Sequence, residues 1–285
     1  MVGAVASIMA VVPYLNVRSA QYYYEERGEG ERTVVFSHGF LLDSGLFRYQ
    51  MEEFSGEYRC VAFDWRGQGR SEAVPCGYGI EDLYRDAVDL LKAFGCRENP
   101  CVWVGVSMGG FVGMRLAARN PDLVRGVVLA ETGATKEKLT KKLVWSLMAM
   151  AFRVVGPSAV SNGIKRALFS PHSMDKPFVK EYERKWMEWS RDRRRRDALI
   201  HTAWAIFNRP DFTRELGRIK VPTLIVVGEE DRARPYEEAL QMHRAIEGSR
   251  LVVIPEAGHS SPIENPEEFN RHLREFLKEV FGEVR

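Results

Sequence analysis

Six runs of this chain are almost continuously apolar: "TVVFSHG" (33–39), "CVAFDW" (60–65), "CVWVGVS" (101–107), "GVVLAE" (126–131), "TLIVVGEED" (223–231) and "RLVVIPEAG" (250–258). Strands read this way when both of their faces are covered, the condition of a parallel sheet between layers of helices. The stretches between them can supply that cover. "IEDLYRDAVDLLKAFG" (80–95) sets Leu83, Ala87, Leu90, Leu91 and Phe94 on one stripe, and 109–120, 236–246 and 266–281 carry the same period. Strand and helix alternate, so the strands are joined by right-handed crossovers into a doubly wound α/β sheet. The leading "YLNVRSAQYYYEERGEGE" (14–31) predicts an antiparallel hairpin at the sheet edge, which makes eight strands in all.

The rhythm breaks once. From about Thr135 to Phe212 there is no strand pattern, only helical runs such as 142–155 and 177–207. This predicts an all-helical insertion at 135–212 between core segments 1–134 and 213–285. The insertion holds Trp145, Trp186, Trp189 and Trp204, four of the six tryptophans, so it must bury apolar surface of its own.

Charge narrows the partners. With 41 Lys and Arg against 39 Asp and Glu, no broad basic field favours nucleic acid. The run "RDRRRRD" (191–197) carries its own acids, with Glu181–Lys185 and Asp192–Arg196 at i,i+4, and reads as a solvated helix face. No stretch reaches the roughly 18 apolar residues of a membrane span. The opening "MVGAVASIMAVV" lacks the Lys or Arg of an export signal and reads as an extension into the first strand. Cysteines 60, 76, 96 and 101 form no CxxC pair, which favours a reducing, cytoplasmic setting. No His or Cys cluster calls for a metal, and "RGQGRS" lacks the spacing of a phosphate or dinucleotide loop, so no cofactor is expected.

Chemistry concentrates at strand ends. "VWVGVSMGG" (102–110) runs a strand into Gly105-Val106-Ser107-Met108-Gly109 and then into a helix, the pattern of a nucleophile elbow. A serine hydroxyl attacks only when a base takes its proton, normally a histidine held by a carboxylate. His172 and His201 lie in the insertion, and His243 and His272 sit in charged helices. His38 ends a strand, where its backbone matters more than its ring. His259, in "IPEAGHSSP", follows the last strand at the edge where α/β sheets place their sites. Asp231 follows the seventh strand and Glu131 the sixth; chain order favours Asp231, with Glu131 as the competitor. The oxyanion of an acyl-transfer reaction would be held by the backbone N–H groups of Met108 and of Phe40 in "SHGFLL".

"SHGF", "DWRGQGRS", "GVSMGG", "GEEDRARP" and "AGHSSPIENP" occur in one order across nearly the whole chain outside the insertion. In this the chain resembles the serine α/β-hydrolase superfamily. The resemblance implies the α/β-hydrolase fold, a mostly parallel eight-stranded sheet flanked by helices, with the insertion as a cap over the site. It also implies structural roles for Asp64 and Arg66. The activity implied is that of small-molecule esterases and enol-lactonases, acting on an ester or lactone through an acyl-enzyme, as a monomer or homodimer. Two alternatives stay open: a carbon–carbon bond hydrolase, against which Val106 and Ser260 speak, and a slow-turnover ligand receptor on the same fold. In the insertion, "LVWSLMAMAF" is apolar almost all round, which predicts one face toward a pocket and the other packed on the core. Trp145, Leu147, Met148 and Met150 would then form a substrate-binding wall.

Overall fold

The computed structural model describes residues 13–282; the apolar extension at 1–12 lies outside them. Along the chain run β1 (Tyr14–Val17), β2 (Ala20–Arg27), β3 (Thr33–Ser37), α1 (Arg48–Phe54), β4 (Arg59–Phe63), α2 (Ile80–Ala93), β5 (Cys101–Val106), α3 (Met108–Arg119) and β6 (Val124–Ala130). There follow α4 (Leu139–Val154), α5 (Ser161–Leu168), α6 (Pro177–Trp189), α7 (Arg193–Phe207), β7 (Thr223–Gly228), α8 (Tyr236–Ala245), β8 (Arg250–Ile254), α9 (Ser261–Glu264) and α10 (Pro266–Phe281).

The eight strands form one sheet in the order β1-β2-β4-β3-β5-β6-β7-β8. The β1–β2 hairpin pairs antiparallel with itself and with β4, and every pairing from β4 to β8 is parallel. The architecture is the α/β-hydrolase sheet that the sequence implies.

Side-chain alternation divides the core. Val34, Phe36, Val102, Val104, Val128 and Val226 face one side, packed with α1, α10 and the insertion helices. Val35, Val61, Trp103, Val127, Leu129 and Ile225 face the other, against α2, α3 and α8. Burial on both faces is why these strands carry no polar alternation.

The helices α4 to α7 lie between β6 and β7 and are tied down at several points. The Trp186 indole donates to the Leu41 carbonyl at 2.7 Å, and the Tyr182 hydroxyl to Asp43 at 3.0 Å. Arg48 grips Glu181 through two hydrogen bonds. The expected pair Glu181–Lys185 is present at 2.9 Å. The expected pair Asp192–Arg196 is not: Asp192 caps α7 instead, accepting from the Arg194 amide at 2.8 Å, so the helical run at 177–207 breaks at 190–192. Nor is the basic run wholly solvated, because Arg195 reaches the carbonyls of Gly69 and Ser71 on the core.

Candidate active site

Ser107 sits between β5 and α3 with φ +53° and ψ −107°, a conformation a non-glycine residue adopts only when its surroundings impose it. Three hydrogen bonds do so. Its amide donates to the Ala130 carbonyl at 2.8 Å, and its own carbonyl accepts from the Phe111 amide at 3.0 Å and the Thr132 hydroxyl at 2.9 Å. The flanking glycines follow from close approach rather than flexibility. A Cβ on Gly105 would lie 2.3 Å from the Gly109 oxygen, and one on Gly109 would lie 2.2 Å from the Ser37 oxygen. The start of α3 directs its positive end at the serine.

His259 lies in the loop between β8 and α9, and its Nδ1 pairs with Asp231 Oδ2 at 2.8 Å. The other oxygen of Asp231 is occupied: it accepts from the amides of Ala233 and Arg234, both at 2.8 Å. One carboxylate oxygen is thus left for the ring, and both residues are buried.

Glu131, the competing acid, does not reach His259. Its carboxyl accepts from the Ser261 hydroxyl at 2.6 Å and is fully buried. Burial pushes this carboxyl well above its usual range, and the neighbouring Asp231 charge raises it further against the Ser261 hydroxyl.

His38 corrects the expectation that its backbone matters more than its ring. Its Nδ1–H donates to the Gly39 carbonyl at 2.7 Å while Nε2 accepts from the Trp65 amide at 3.0 Å. Burial lowers its pKa to about 4, so the ring is a neutral brace between two loops. Asp64 binds the Ser44 and Arg70 amides, and Arg66 pairs with buried Asp86 at 2.6 Å.

Ser107 and His259 open into one cavity. Phe40 and Leu41 line it from the core. Among the described residues the Phe40 amide has no hydrogen-bond partner. Trp145 and Met148 line the cavity with Phe152 from α4, joined by Ile164 and Leu168 from α5 and Leu199, Ala203 and Phe207 from α7. Leu147 and Met150 do not: both point to solvent, at 63% and 50% exposure. The wall expected from one helix is shared among three.

Two features were not read from the sequence. Glu264 accepts from the amides of Gly258 and Ser260, on either side of His259, both at 3.0 Å, and from the Ser170 amide of the insertion at 2.7 Å. It clamps the histidine loop. In the cavity wall, Glu137 receives Arg209 at 3.0 Å and Arg234 at 2.5 Å, and both guanidinium groups lie over the Phe111 ring. Arg234 also meets Glu238 at 3.3 Å, and because the cluster draws on residues from Phe111 to Glu238 no local motif announces it. Among the described residues no group of His, Cys, Asp and Glu could hold a metal ion.

Comparison with known proteins bears on the family and the fold. A family model described as alpha/beta hydrolase family matches residues 34–272. The crystal structure of the enol-lactonase from Burkholderia xenovorans LB400 is similar at TM-score 0.85 and 27% identity, covering 93% of this chain and all of that one. A thermophilic esterase from Thermogutta terrifontis is similar at TM-score 0.82 and 30% identity, over 92% of this chain and 94% of that one. In sequence, 3-oxoadipate enol-lactonase 2 of Acinetobacter baylyi is 25% identical over 267 residues, 93% of this chain and 96% of the relative.

Proposed function

Since this chain belongs to the alpha/beta hydrolase family, we propose that it is a serine hydrolase cleaving a small carboxylic ester or lactone with an apolar acyl part. Ser107 Oγ attacks the carbonyl carbon as His259 takes the hydroxyl proton, and Asp231 holds the ring and stabilises its cation. The amides of Phe40 and Met108 carry the charge that develops on the carbonyl oxygen. Collapse breaks the bond to the leaving oxygen, which takes the proton from His259. Water then attacks the acyl-enzyme with His259 again as base, releasing the acid and restoring Ser107.

The observation that carries the reading is the 2.8 Å pair of His259 with Asp231 in a cavity that His259 shares with Ser107. The insertion at 135–212 acts as the cap of this cavity, and Trp145 and Met148 contact the acyl group. The four free cysteines suit a cytoplasmic location. The test is stoichiometric labelling by a fluorophosphonate, mapped by mass to the peptide holding Ser107, together with ester turnover. Labelling that persists in Ser107→Ala would overturn the assignment. Labelling with one fast turnover and no steady state would identify a receptor instead.

A further inference from the structure

The face of α4 turned away from the cavity has no partner among the described residues. Leu139, Leu143, Leu147, Met150 and Val154 are between 50% and 82% exposed. At about 100° per residue they fall within about 80° of one another, one stripe along four turns. Val144 and Val155 extend it, at 55% and 70% exposure. The opposite face, with Trp145, Met148, Ala149 and Phe152, lines the cavity. The helix is therefore apolar all round for a reason other than the expected one. Its second face does not pack on the core.

The charges around this stripe are of one sign. From Lys138 to Ser170 the chain has no Asp or Glu, while Lys138, Lys141, Lys142, Arg153, Lys165 and Arg166 all fall there. Lys165 is paired with Glu183, and Lys141 donates to the carbonyls of Arg232 and Ala233. Lys138, Lys142, Arg153 and Arg166 have no ion-pair partner among the described residues. Lys142 and Arg153 border the stripe, within about 60° of Leu139 by the same helical angle. A contiguous apolar surface on a protein in water marks an interaction site. An apolar stripe edged by cations matches a lipid surface, its hydrocarbon beneath and its anionic headgroups alongside. A second copy fits less well, because pairing this face with itself would bring like charges together around the contact.

We propose that α4 docks the protein on an anionic lipid surface, with its stripe in the interface and Lys138, Lys142 and Arg153 against the headgroups. The docking uses only the outer face of α4 and stands independently of the hydrolytic reading. The full chain is mixed with phosphatidylcholine vesicles, with and without phosphatidylglycerol, and sedimented. Binding is expected to the anionic vesicles alone and to fall as sodium chloride rises. The double variants Leu143→Ser/Leu147→Ser and Lys138→Glu/Lys142→Glu should each lower the partition coefficient at least about tenfold, with circular dichroism and thermal unfolding unchanged. Absence of binding to anionic vesicles, or binding that both folded variants retain, overturns the proposal. So does a dimer in sedimentation equilibrium that Leu143→Ser/Leu147→Ser dissociates, since the face would then belong to a second copy.

Discussion

Asp231 and Glu131 both follow parallel strands of one sheet and both are buried, but their hydrogen-bond partners differ. Asp231 has two backbone amides and a histidine to hold a negative charge. Glu131 accepts from the Ser261 hydroxyl on Oε1 and is fully buried. Asp231→Asn should lower kcat by roughly 10⁴-fold, because the imidazole loses its tautomer and the stabilisation of its cation. Glu131→Gln keeps the shape of a side chain that meets Ser261 and not His259, and should change kcat by less than about tenfold. Steady-state turnover of an activated ester by the two variants decides the matter. A reversed result would move the acid to the end of β6.

At the scale of the element, α4 carries two apolar faces, and only one of them lines the cavity. Trp145 stacks near Phe207 at 6.4 Å, and Met148 packs against the core cluster beside the cavity. Lengthening an acyl chain inside such a wall contributes up to about 0.8 kcal/mol per buried methylene. Four added methylenes set an upper limit of about 3 kcal/mol, so kcat/KM should rise by at least about tenfold and at most about two-hundredfold from acetyl to hexanoyl, then level off as the cavity fills. Met148→Ala should shift the optimum toward longer chains. A ladder of esters from acetyl to dodecanoyl checks both. A flat wild-type profile, or a Met148→Ala variant that loses stability with the optimum unmoved, would assign α4 a packing role only.

The whole molecule is held by buried polar braces as well as by its two apolar layers, and these make its stability depend on pH in opposite senses. His38 binds a proton in the unfolded chain near its ordinary value of 6.5 but in the folded protein only near 4. Between those values the unfolded state holds the extra proton, so this residue's contribution is lost as pH falls. Asp64 is pushed up to about 6 by burial and by Asp43, so the folded state holds the extra proton from about 4 to about 6, and its contribution falls as pH rises. The two oppose each other, and a variant separates them. The stability gap between wild type and His38→Asn should be widest near pH 7 and close by about 3 kcal/mol as pH falls to about 4. Urea unfolding at several pH values measures it. A gap that does not change with pH would mean His38 is not held neutral.

The sequence by itself determined the parallel sheet, because strands buried on both faces leave short continuous apolar runs, rich in β-branched residues and alternating with amphipathic helices. It also placed Ser107, Asp231 and His259 at strand ends, since an elbow needs glycines at fixed offsets and loops after strands face one edge. Tertiary structure alone decided how those ends meet. That the second oxygen of Asp231 is free for a ring, that Glu264 holds the amides beside His259, and that Glu137 lies between two arginines all depend on contacts across distant segments. Apolar periodicity gives which residues share a face but not what covers it. For that reason Leu147 and Met150 read as cavity wall in the sequence, although the fold turns them outward with the rest of the α4 stripe.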